Sequence, residues 1–126
     1  MNKRLIPQAA VALVAIEHVY ILVLEMFLWT EPLGLKTFNL TPEYAQATAT
    51  LAANQGLYNG FLAAGLFWGL FTNNRTFKLF FLSCVIVAGV FGGMTAAPKI
   101  LLTQALPAVI ALLLVLLMDK PADGAR

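Results

Sequence analysis

The chain has 126 residues, of which 60% are hydrophobic and 11% charged, and its formal net charge at pH 7 is +2. A soluble domain carries about 25% charged and about 45–50% apolar residues, and a chain this short has too much surface to hide the excess. The composition therefore excludes an ordinary soluble fold and points to lipid, while the small net charge and the lack of a basic patch exclude a nucleic-acid partner.

A hydrocarbon core of ~30 Å needs ~20 apolar residues in a helix. Four stretches meet that demand, at about 6–29, 48–71, 77–97 and 100–118. Lipid offers backbone groups no partner, so each stretch is predicted to be helical; a β-barrel would need alternating apolar and polar residues, and nothing here alternates. The expected fold is all-α, an integral membrane four-helix bundle forming a single transmembrane domain over residues 1–126.

The first stretch follows Lys3 and Arg4, and Ala10-Val11-Ala12 resembles a signal cleavage site. Its apolar run continues to Trp29, too long for a signal, so it reads as a retained helix. Residues 30–47 form the longest connection. Within it Glu31-Pro32-Leu33-Gly34 reads as a turn, and Thr41-Pro42-Glu43 as a helix start that would let the second helix begin near Pro42. Thr72-Asn73-Asn74-Arg75-Thr76 is a tight polar turn, and the connection around Pro98 is very short. Pro107 should kink the last helix or loosen its hydrogen-bond ladder. Asp119 to Arg126 reads as a short disordered tail.

Orientation follows the basic residues of the short loops. Lys3, Arg4, Arg75, Lys78, Lys120 and Arg126 fall on one side, and Lys36 and Lys99 on the other. The richer side is expected in the cytoplasm, with both termini, and loop 30–47 outside. Close packing holds helices together in lipid, so small residues mark contacts. Gly56/Gly60, Gly65/Gly69 and Gly89/Gly93 are each four apart. They suit packing inside one bundle or between two copies, which leaves a homo-oligomer open.

The informative residues are polar ones at membrane depth, which are costly and usually face a partner or a cavity. Glu17, His18 and Glu25 lie in the first stretch. His18 and Glu25, seven apart, share a face, and Glu17 is turned about 100° from His18. The second stretch adds Asn54, Gln55, Tyr58 and Asn59, in which Asn54/Tyr58 and Gln55/Asn59 stack at a spacing of four. The last stretch adds Gln104. At ~1.5 Å of rise per residue these groups fall in one layer, from the centre into the outer half of the membrane. The inner half reads as nearly featureless.

Amides can act simply as glue between membrane helices. An adjacent carboxyl and imidazole at mid-membrane suit proton transfer better. Glu17, His18 and Glu25 are therefore the expected acid/base groups, and Asn54, Gln55, Tyr58, Asn59 and Gln104 the expected ligand-binding groups. One histidine and dispersed carboxylates give no metal-site spacing. No phosphate loop or nucleophile elbow appears, and nothing calls for a cofactor. Cys84, the single cysteine, reads as an ordinary apolar-site residue.

The stretch from Glu17 to Trp29, EHVYILVLEMFLW, followed by Pro32 and Phe38, resembles the first half of the small bacterial membrane proteins grouped as domain-of-unknown-function family 1304. The stretch Leu51 to Gly65, LAANQGLYNGFLAAG, resembles its second landmark. The resemblance implies a four-helix, multi-pass protein of the bacterial inner membrane and assigns no activity. Three functions compete on the residues alone. A site that binds or converts a small lipophilic molecule would use the polar layer as acid, base and ligand-orienting groups. A structural or interaction subunit of a membrane complex would use it as glue. A proton-coupled exporter would need a site reachable from both faces, and the featureless inner half argues against that.

Overall fold

The computed structural model describes residues 2–120; Met1 and residues 121–126, including Arg126 and most of the expected tail, lie outside the described residues. Among the described residues the structure is all-helical: α1 (Leu5–Met26), α2 (Pro32–Phe38), α3 (Pro42–Phe71), α4 (Arg75–Thr95), a π-helical turn (Leu101–Ala105) and α5 (Leu106–Met118). Three segments are long and apolar enough to cross a membrane: Leu5–Met26, Arg75–Thr95 and Leu101–Met118. No more than 33% of the most apolar window of any of them is buried. That outward apolar surface marks a membrane protein, because water would not tolerate it. At 30 residues α3 is the longest helix and, at about 45 Å, exceeds the ~30 Å hydrocarbon core; Asn54, Gln55 and Asn59 keep it less apolar than the other three.

The expected helix at 48–71 begins at Pro42. Thr41 caps it, its hydroxyl accepting a hydrogen bond from the Tyr44 N–H at 3.2 Å, and Pro42 needs no donor at that position. The turn read at Glu31–Gly34 is corrected: those residues open α2, with Pro32 in its first turn. Proline suits a turn and a helix start alike, and the residues beyond it decide between them. Asn39 ends α2 with a left-handed φ of 56°.

The helices group into two units. The first contains residues 2–15 and 64–120 of the described chain, hence the start of α1, the end of α3, and α4 with α5. Its core holds Leu82, Val85, Ala108, Ala111 and Val115, all fully buried. A Cβ added to Gly89 would lie 2.8 Å from the Ala105 nitrogen, so α4 and the π-helical turn pack backbone to backbone. Gly65 likewise rests against the Phe81 ring and Gly93 against Leu101. Pro107 cannot donate and its ring crowds the carbonyl four residues back. The ladder ahead of it widens, with the Leu106 N–H bonding Leu101 five residues away.

The second unit runs from Ile16 to Ala63 and contains the end of α1, α2 and most of α3. Trp29 Nε1 donates to the Thr48 hydroxyl at 3.0 Å, and its ring lies 4.9 Å from that of Phe38. These contacts tie α2 and α3 to the end of α1. A Cβ on Gly56 would come within 3.0 Å of Glu25 Cβ and 3.2 Å of the Leu22 carbonyl, and one on Gly60 within 2.6 Å of Leu22 Cδ1. The two helices approach closely because the glycines carry no side chain.

Candidate functional site

The close approach at Gly56 sets the first polar contact between helices. Asn59, one turn further along α3, reaches α1 and its Nδ2 donates to Glu25 Oε1 at 2.7 Å. This is a short hydrogen bond by any geometric standard. Neither residue is fully exposed, so the pair sits between α1 and α3 within the second unit.

Two turns earlier on α1, Glu17 Oε1 lies 4.0 Å from His18 Nδ1. That is too long for a hydrogen bond, so the two groups are neighbours and not a bonded pair. The His18 side chain is fully buried, while that of Glu17 is 30% exposed. Glu17 Oε1 itself is buried and accepts no hydrogen bond among the described residues. A buried oxygen left in that state costs about 1–3 kcal/mol, the kind of cost that a bound molecule can remove.

The remaining expected site residues take different places. Asn54, Gln55 and Tyr58 are exposed on α3, and the Tyr58 ring meets Phe61 edge-on at 5.6 Å. Gln104 is half-buried and belongs to the π-helical turn of the first unit. The structure thus brings together Glu17 with His18, and Glu25 with Asn59, and gives Asn54, Gln55 and Tyr58 an outward position. No group of three or more histidine, cysteine or acidic side chains that could hold a metal occurs among the described residues.

One polar cluster has no counterpart among the residues that spacing singles out. In the first unit Lys78 is fully buried. Its ammonium meets Asp119 Oδ2 at 2.7 Å, Gln8 Oε1 at 2.7 Å and Asn73 Oδ1 at 3.4 Å. Arg75 Nε donates to the Asp119 carbonyl at 2.6 Å, satisfying a backbone oxygen just past the end of α5. Asp119, expected in a loose tail, instead anchors the helix end. A lysine in the first turn of a helix reads as a solvated loop charge, and only the antiparallel return of α5 brings Asp119 beside it.

The model of the family described as "Protein of unknown function (DUF1304)" matches residues 12–116. The Uncharacterized protein YpaA of Lactococcus lactis subsp. lactis (strain IL1403) is 33% identical over 105 residues, covering 80% of this chain and 88% of the relative. No solved structure matches the chain. The matched region takes in Glu17, His18, Glu25 and Asn59, and the chain belongs to the DUF1304 family of proteins of unknown function.

Proposed function

We propose that this chain is a multi-pass protein of the bacterial cytoplasmic membrane, and that its second unit binds or converts a small lipophilic molecule between α1 and α3. In this reading α3 is the fourth span and both termini lie in the cytoplasm. The collection of Arg4, Arg75 and Lys78 around the start of α1 and the α3–α4 turn supports that orientation. Single cysteines placed at Lys120 and at Thr41, in a Cys84→Ala background, test it. An impermeant maleimide should label the Thr41 position in intact cells and the Lys120 position only after lysis; the reverse would refute the orientation.

The observation that carries the functional reading is the buried, unbonded Glu17 oxygen beside a fully buried imidazole. A carboxyl and an imidazole can relay a proton, one accepting as the other donates, and relocating a proton on a substrate needs no other reagent. The Glu25–Asn59 pair would orient a polar group of the ligand. Protein purified in mild detergent would be extracted with organic solvent and the extract analysed by mass spectrometry. Wild type should carry a lipophilic molecule that Glu17→Gln and Glu25→Gln proteins lose. Identical extracts from all three would end the proposal.

A second reading is an interaction subunit, favoured by the outward Asn54, Gln55 and Tyr58. Exposed amides at membrane depth gain most from a partner helix that bonds them. Identical extracts together with a fixed co-purifying partner, lost on Asn54→Leu, would favour that reading instead.

A further inference from the structure

We propose that a groove in the first unit, between the start of α1 and the α3–α4 turn, binds an anionic phospholipid by its phosphate. The groove has a volume of about 730 Å³. Its polar wall consists of Asn2, Arg4, Gln8 and Asn73. Its apolar wall consists of Leu5, Ala9, Ala12 and Leu70. Among the described residues no carboxylate lines it.

The amide orientations make the polar wall donor-rich. Lysine ammonium and backbone N–H groups only donate. Gln8 and Asn73 therefore turn their oxygens to Lys78 Nζ, and Asn2 turns its oxygen to the Arg4 N–H at 2.9 Å. Each amide is left with its NH₂ group, and none of these nitrogens donates a hydrogen bond among the described residues. The Arg4 side chain is exposed. Three amide NH₂ groups and a guanidinium around one groove suit a ligand with only acceptors and negative charge.

The apolar wall separates a phospholipid from free phosphate. Leu5, Ala9 and Ala12 follow one another along one side of α1 (four and three residues apart), with Leu70 also on the wall. The groove is far larger than a phosphate ion, and its apolar half would stay empty around one. A phosphodiester with glycerol and an acyl chain engages both walls. Basic pockets between membrane helices commonly hold anionic head groups in this manner. Lys78, neutralised by Asp119 at 2.7 Å, contributes by fixing the amides and not by touching the ligand.

The test uses the full chain purified in a nonionic detergent, with bound lipid counted by native mass spectrometry. The probes are dioleoyl-phosphatidylglycerol, dioleoyl-phosphatidylcholine with the same acyl chains, and inorganic phosphate. Phosphatidylglycerol should bind about tenfold more tightly than phosphatidylcholine, and inorganic phosphate should not displace it. Arg4→Gln, which removes no bond within the fold, should weaken phosphatidylglycerol about fivefold. Ala9→Trp should fill the apolar wall and abolish binding, while Lys36→Gln, outside the groove, should change nothing. Equal binding of the two lipids, displacement by inorganic phosphate, or undiminished phosphatidylglycerol binding in both groove variants would overturn the proposal. These readouts do not depend on Glu17 or Glu25, so the groove and the α1–α3 site stand or fall separately.

Discussion

Gly56 and Gly60 have the same spacing role in sequence but different surroundings, and that difference sets an order of stability. Alanine at either position gains about 1 kcal/mol of helix propensity. At Gly56 the new methyl would meet the flexible Met26 side chain at 2.7 Å and two atoms held by the backbone, Glu25 Cβ at 3.0 Å and the Leu22 carbonyl at 3.2 Å. Neither can move without shifting α1, so overpacking of about 1–3 kcal/mol is expected. At Gly60 the close atom is the tip of the Leu22 side chain, 2.6 Å away, with the next at 3.9 Å. Rotating Leu22 costs about 0.5–1.5 kcal/mol. Gly60→Ala should therefore be close to neutral, and Gly56→Ala less stable than Gly60→Ala by about 1 kcal/mol. Reversible unfolding in mixed micelles of mild detergent and dodecyl sulfate, monitored by circular dichroism, measures both. A Gly60→Ala protein less stable than Gly56→Ala would refute the view that α1 and α3 touch through backbone at Gly56.

The same unfolding assay checks two polar pairs. Asn59→Leu leaves Glu25 Oε1 without its donor and should cost about 1–3 kcal/mol; adding Glu25→Leu should recover most of the loss, and a double variant as unstable as the single would refute the pairing. Lys78→Met leaves the mostly buried Asp119 carboxylate without its cation and should cost about 3–5 kcal/mol. Lys78→Met with Asp119→Leu should return close to wild type, since two apolar groups can replace a buried pair; failure to recover would mean that Lys78 acts through Gln8 and Asn73 instead.

Several features were legible in the chain because they depend on local chemistry. Apolar length marked four stretches, and three of them, Leu5–Met26, Arg75–Thr95 and Leu101–Met118, are membrane-length apolar helices among the described residues; Thr41-Pro42 marked the start of α3 because capping needs only neighbouring residues. Glycines four apart gave close contacts, now found at Gly56, Gly60, Gly65, Gly89 and Gly93. Other features depend on which way a face points, which spacing does not encode. Asn54 and Tyr58 share a face, as their spacing requires, but that face is outward. Asn59 lies one residue beyond Tyr58 and turns toward Glu25. The Lys78–Asp119 pair joins residues 41 apart, and neither end carries a local sign of the other.

The widened turn at Leu101–Ala105 holds one residue more than a regular ladder needs. Deleting a single residue there should let the turn tighten while Ala108, Ala111 and Val115 keep their inward face. Deleting one within α5 should rotate everything downstream by about 100° and expose that face. Length differences between relatives in their last helix are therefore expected to gather just ahead of this proline, where the fold can absorb them.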